Sequence, residues 1–186
     1  MARRIVWRDA DRSRPHELGV GVEQRSQRRS VAGDHRFDRC FEAIDRRPVL
    51  ADGGDEINIV EKGRNYGFPA IGYGREYSGK PINGDKTAQQ GMEQPVYFWT
   101  PDIAPAGIAF YSGKRFPAWQ DNLFVSTLVG RALVRLVLNG DRVAGEERLL
   151  TDLNARIRGV EEGPDGALYV LTDGPAGKIL RLVPKP

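Results

Sequence analysis

Two stretches of this chain follow one plan. They are "FPAWQDNLFVSTLVGRALVRLVL" (116–138) and "VEEGPDGALYVLTDGPAGKILRLVP" (160–184). Each has a turn, an apolar strand ending in Ser/Thr or Asp, a glycine-containing loop, and a second strand of pattern [LI]-x-R-L. The second strand reads "LVRL" at Leu133–Leu136 and "ILRL" at Ile179–Leu182. A strand-rich unit recurring every roughly 40–50 residues is the signature of a propeller blade. That repeat restricts the fold more than any other feature.

The rest of residues 53–186 agrees with it. "PVYFWT" (95–100), "GIAFYS" (107–112), "NLFVSTL" (122–128), "ALVRLVL" (132–138), "ALYVLTD" (167–173) and "KILRLV" (178–183) are short aromatic or β-branched runs. Gly, Pro, Asn and Asp clusters bound them, with an Asn-Gly hairpin signal at 139–140 and a Pro-Asp-Gly turn at 164–166. Such runs read as antiparallel meanders. The expectation is an all-β fold, a partial six-bladed β-propeller of about three blades. Three blades leave apolar inter-blade faces open, so the chain reads as part of a larger propeller or as one that needs a partner.

Residues 1–52 look different. They hold twelve arginines and no lysine, with interspersed acids. Neither a helical nor a strand period is visible. This segment is expected to be irregular and disordered. A basic nucleic-acid arm and an out-of-frame translation are the other two readings. The remainder of the chain is near neutral, which gives no electrostatic case for nucleic acid. Cys40 is the single cysteine, so no intrachain disulfide forms. No apolar run reaches the roughly 18 residues of a membrane span. The start, "MARRIVWRDADRSRP", lacks an apolar segment behind its basic residues and reads as no signal peptide.

Between Gly53 and Gly79 lies "GGDEINIVEKGRNYGFPAIGYGREYSG". Taken alone it is a glycine-rich turn region capped by an acidic pair. Followed by "APAGIAFYSGKRFPAWQDNLFVSTLVG" and "RIRGVEEGPDGALYVLTDGPAGKILRLVP", it resembles the PQQ-dependent aldose sugar dehydrogenases, the soluble glucose/sorbosone dehydrogenase family. The resemblance covers residues 53–186, and it divides the chain at that point from the arginine-rich segment 1–52. It implies a six-bladed propeller binding pyrroloquinoline quinone (PQQ) and Ca2+, and oxidation of an aldose to its lactone by hydride transfer to the quinone.

The resemblance also implies roles. Glu56 of "GGDE" and Tyr66 of "NYG" match the calcium-holding positions, and hard oxygen ligands suit that ion. Asp55 is a further ligand or a supporting acceptor. Tyr77 of "GREYSG" matches a tyrosine against the cofactor. Thr127 and Leu128 of "STLVG" match a cofactor-lining loop, although some relatives carry a lysine near the position of Val129. Arg156 and Arg158 of "RIR" match an arginine pair for the cofactor's carboxylates. Residues i and i+2 of an extended segment share one side, and two guanidinium forks suit a polycarboxylate. Trp99 is either an apolar wall for a sugar or a core tryptophan.

The sequence also departs from the family. The family's base is a histidine in an earlier blade, whereas His16 and His35 stand in no matching motif, so no catalytic residue is assigned. The "HGP" that precedes "GGDE" in the family is "RRPVLAD" here, which removes two carbonyl ligands. Loss of resemblance at one junction is what an out-of-frame 1–52 would give. The expected function is a sugar dehydrogenase, inactive as an isolated half. The alternative is a non-catalytic propeller that binds without turnover. The substrate would be a small aldose, with the electron acceptor left open. The intact family is expected in the periplasm.

Overall fold

The computed structural model describes residues 54–76 and 78–184, with the backbone of strands at 5–9, 40–44 and 51–52. Thirteen strands follow in chain order: β1 (Ile5–Asp9), β2 (Cys40–Ile44), β3 (Ala51–Asp52), β4 (Asp55–Val60), β5 (Arg75–Glu76), β6 (Tyr97–Trp99), β7 (Pro105–Phe110), β8 (Leu123–Thr127), β9 (Leu133–Asn139), β10 (Arg142–Leu149), β11 (Ile157–Glu162), β12 (Leu168–Thr172) and β13 (Ile179–Pro184). Two 3-10 turns, Pro117–Trp119 and Thr151–Leu153, are the helical segments among the described residues. The all-β expectation holds.

Three sheets stand in sequence. The first has the order β2-β4-β6, the second β7-β8-β9-β10, and the third β11-β12-β13-β1. A two-stranded ribbon pairs β3 with β5. All pairings between strands are antiparallel. β11 packs against β7 and β8, and β7 packs against β2. The sheets therefore follow one another like blades, with β7 and β11 as inner strands.

The segment 1–52, expected to be irregular, contributes β1, β2 and β3. Each joins by backbone pairing to a strand of the downstream region. An open sheet edge offers a row of N–H and C=O groups whatever the incoming side chains are. That pairing leaves no apolar period to read in the sequence.

Two apolar seams hold the sheets together. One lies between the first and second sheets and contains Ile57, Trp99, Ile103, Leu123, Val125, Val134 and Leu136. The other lies between the second and third and contains Tyr111, Phe124, Leu133, Ile157, Leu168 and Leu180 among others. Leu123 and Val125 serve one seam while Phe124 serves the other, because successive side chains alternate across a strand. A sheet covered on both faces needs apolar groups at both sets of positions, and all five residues of β8 are buried. Burying one such side chain is worth about 1.5–3 kcal/mol.

Polar bonds add a layer to each seam. Tyr97 Oη and Trp99 Nε1 both donate to Glu146 Oε2 at 2.8 Å, joining the first sheet to β10. Burial and this bond push the Tyr97 hydroxyl up to about 12. Across the other seam, Tyr111 Oη donates to the Gly166 carbonyl at 2.8 Å, and the Ser112 N–H donates to Glu162 Oε2 at 2.8 Å.

The repeated arginine now has a structural reason. Arg135 of β9 donates to Asn122 Oδ1 in the turn before β8, and Arg181 of β13 donates to Asp165 Oδ2 in the turn before β12. In each unit the [LI]-x-R-L strand ties down the turn that opens its own neighbour strand. Arg135 further pairs with Glu147 and lies 5.5 Å from the Trp119 ring centroid.

Candidate functional site

The loops at 103–104, 128–131 and 154–156 lie at one end of the sheets. Pro105 pairs with Thr127, so β7 begins where β8 ends. Ile157 pairs with Thr172, so β11 begins where β12 ends. A Cβ on Gly107 would lie 3.3 Å from Gly159 Cα, which puts the two inner strands at one level. Both inner strands carry a register shift at that level, between Pro105 and Gly107 and between Ile157 and Gly159. Such bulges re-aim side chains and concentrate beside functional sites. Ala104, Arg131 and Asn154, at the same end, have left-handed φ values of 48°, 46° and 46°.

Asp55 and Glu56 open β4 and point to opposite faces. Asp55 Oδ2 accepts the N–H groups of Ile103 and Ala104, each at 2.8 Å. The Ile103 carbonyl accepts from Val129 and Gly130 at 3.1 Å each, and the Ala104 carbonyl accepts from Leu128 at 3.0 Å. A buried carboxylate thus holds the 103–104 corner, which in turn holds the 128–130 loop. Of the two expected roles for Asp55, the geometry is that of the supporting acceptor.

Glu56 lies on the other face, 1% exposed. Asn58, two residues on, donates Nδ2 to Glu56 Oε1 at 3.0 Å. Asn58 Oδ1 is buried and has no hydrogen-bond partner among the described residues. The 61–95 excursion covers this face, and a narrow recess beside Glu56 is lined by Tyr66, Tyr73, Thr87, Glu93 and Gln94. The Tyr66 hydroxyl donates to the Ile59 carbonyl and accepts from the Glu61 N–H, both at 2.7 Å. Its ring therefore pins the excursion to the end of β4. Gly54 and Gly67 are needed for this path. Their φ values are 91° and 92°, and a Cβ would come within 2.5 Å of Gly74 N and 2.1 Å of Ile71 Cγ1.

The buried Glu56 carboxylate stands beside the Asn58 amide. Carboxylate and amide oxygens are ligands that a hard cation takes. Among the described residues no three acidic, histidine or cysteine side chains gather as a metal cage. Amide and backbone oxygens would have to complete the coordination.

Thr127 and Leu128 face inward. Thr127 Oγ1 donates to the Ala132 carbonyl at 2.8 Å and accepts from its N–H at 3.1 Å, closing the 128–131 loop. Thr172 does the same for the next unit, accepting from the Lys178 N–H at 2.8 Å. The threonine's bonds belong to the repeated plan of the sheets. Leu128 is buried, while Val129 at the loop tip is 55% exposed. Trp99 is buried to 4% and forms part of the seam, so it is the core tryptophan of the two readings. Tyr77, His16 and His35 lie outside the described residues.

Arg156 and Arg158 come together as the "RIR" spacing suggests. Arg156 Nε donates to Asp173 Oδ2 at 3.0 Å. Arg158 donates from Nε at 3.3 Å and Nη2 at 3.2 Å to Asp173 Oδ1. The Arg156 bond, against a smaller opposing effect of burial and with help from Arg158, holds the Asp173 carboxyl below its ordinary value. Sequence reading missed Asp173 and Asn58. Aligning the two repeat units would have flagged Asp173, which follows Thr172 as Leu128 follows Thr127.

The family described as Glucose / Sorbosone dehydrogenase matches residues 51–181. Aldose sugar dehydrogenase YliI of Escherichia coli (strain K12) is 46% identical over 136 residues, covering 72% of this chain and 36% of that protein. A crystal structure of glucose dehydrogenase superposes with a TM-score of 0.73 at 44% identity, covering 82% of this chain and 43% of that one. The PQQ-bound form of aldose sugar dehydrogenase from Streptomyces coelicolor superposes with a TM-score of 0.56 at 26% identity, over 82% of this chain and 41% of that one. The chain thus spans less than half the length of these relatives. With a family match over most of its length, the chain belongs to the glucose/sorbosone dehydrogenase family.

Proposed function

We propose that this chain serves PQQ- and calcium-dependent oxidation of aldose sugars to lactones, with residues 53–186 as the C-terminal part of the propeller that does it. The observation that carries the reading is the pair Arg156 and Arg158, drawn together at the end of the sheets where the 128–130 loop also lies. Two guanidinium forks at one place suit a polycarboxylate.

Glu56 would hold calcium through its carboxylate, with Asn58 Oδ1 and the Tyr66 carbonyl as further oxygen donors. The burial of Glu56 beside the Asn58 amide supports this. Arg156 and Arg158 would bind the cofactor's carboxylates, Tyr77 would lie against its ring, and the loop holding Thr127 and Leu128 would line it. When bound, PQQ supplies a two-electron acceptor and calcium a fixed positive charge. Asp55 keeps the cofactor loop in place through residues 103 and 104. The proton of the sugar hydroxyl needs a base, and no described residue is assigned that work. The intact protein would act in the periplasm.

The test is a spectroscopic titration of PQQ into the full chain, with calcium and with chelator. Saturable binding that requires calcium, without sugar-dependent dye reduction by this chain alone, is the expected result. No binding at high cofactor with calcium present overturns the reading and favours a propeller that kept the architecture without the chemistry.

A further inference from the structure

Arg156 and Arg158 are not left to find a ligand on their own. Asp173 takes hold of both from one side. It uses Oδ2 for Arg156 Nε and Oδ1 for Arg158 Nε and Nη2. Both Nη groups of Arg156 and Nη1 of Arg158 have no partner among the described residues, and the two side chains are 48% and 50% exposed. Asp173 is itself anchored, because its N–H donates to the Arg156 carbonyl at 2.7 Å. The neighbouring Thr172 ties the start of this loop to Lys178. Two cations share one carboxylate, so a net positive charge remains at the exposed tips.

We propose that Asp173 is a positioning residue, which clamps Arg156 and Arg158 by their Nε edges so that their exposed Nη tips form a ready-made seat for a ligand carboxylate. The proposal rests on the cofactor reading above and adds to it a residue that acts through the arginines. Free arginine side chains must surrender rotamer freedom on binding, and a clamp that has already ordered them reduces that cost. Asp173, like any aspartate, is ionised at neutral pH, and its arginine bonds hold its carboxyl below the ordinary value. An ordinary surface ion pair would have little consequence when removed.

Simple electrostatics and the clamp make opposite predictions. Removing Asp173 makes the site more positive, which by charge alone strengthens binding of an anion. Loss of the clamp weakens it. PQQ is titrated, with calcium, into the full wild-type chain and into the Asp173→Ala and Asp173→Asn variants, each checked for an unchanged melting temperature. Asp173→Ala is expected to bind about tenfold more weakly, and Asp173→Asn to fall between it and the wild type. Wild-type binding with equal or tighter binding by Asp173→Ala overturns the proposal.

A second measurement needs no cofactor. In the ligand-free chain, 15N-detected Nε–H signals of Arg156 and Arg158 are expected to be protected from solvent exchange in the wild type and to lose that protection in Asp173→Ala. Unchanged protection overturns the clamp. Failure of the wild type to bind PQQ counts instead against the cofactor reading, and the arginine signals still decide whether the clamp exists.

Discussion

Asp55 and Glu56 stand side by side and do different work, because a strand turns successive side chains to opposite faces. Asp55 Oδ2 satisfies two N–H groups at the 103–104 corner. An unsatisfied buried donor costs roughly 1–3 kcal/mol. Asp55→Ala should therefore lower unfolding free energy by about 2–4 kcal/mol, and Asp55→Asn should recover most of it, since one amide oxygen can accept both bonds. Urea unfolding measures the difference. Glu146 gives a pH signature. Burial alone would raise its carboxyl, but bonds from Arg148, Tyr97 and Trp99 outweigh burial and hold it below the ordinary value. Its folded pKa is depressed, so its contribution is complete above the unfolded value of about 4.3 and is lost as pH falls through the folded one. Glu146→Gln should flatten the acid side of the stability profile, read as urea midpoint against pH. At this scale the motif residues were legible and their partners were not. Glu56, Tyr66 and the arginine pair stand in spaced patterns, whereas Asp173 and Glu146 reach their partners across strands that only the register brings together.

The elements were legible where both faces of a strand are covered. The runs now seen as β7, β8, β9, β12 and β13 are apolar because two seams or one deep seam demand it. The Asn139–Gly140 signal does join β9 to β10, with Gly140 at a φ of 60°. β10 itself gave no signal. It is an outer strand, "RVAGEERL", mostly exposed or half-buried, and an edge needs no apolar alternation. β4 was hidden inside a motif read for its ligands, and β1, β2 and β3 join by backbone pairing. The repeated arginine tests the shared plan. Arg135 is bonded to Asn122 and Glu147 and lies by Trp119, with its side chain only 16% exposed. Arg135→Ala should cost about 2–3 kcal/mol by thermal or urea unfolding, more than the same change at the more exposed Arg181. Equal small losses at both would contradict the reading of that strand as the lock on its own turn.

At the scale of the molecule, three consecutive sheets share two seams, and the propeller architecture was legible from the repeat. The two groups proposed to form the site come from distant parts of the sequence: the recess beside Glu56 from β4 and the 61–95 excursion, the arginine pair from β11. Asp55, next to Glu56 on β4, fixes the 103–104 corner and, through it, the 128–130 loop. Under the proposal, these two groups hold calcium and PQQ. Crystals of the full chain grown with both, measured at a long wavelength for calcium's anomalous signal, test it most directly. A calcium peak within coordinating reach of the Glu56 carboxylate and a cofactor carboxylate on Arg156 and Arg158 are the expected result. Calcium bound away from Glu56, or a cofactor seated without the arginine pair, would contradict it.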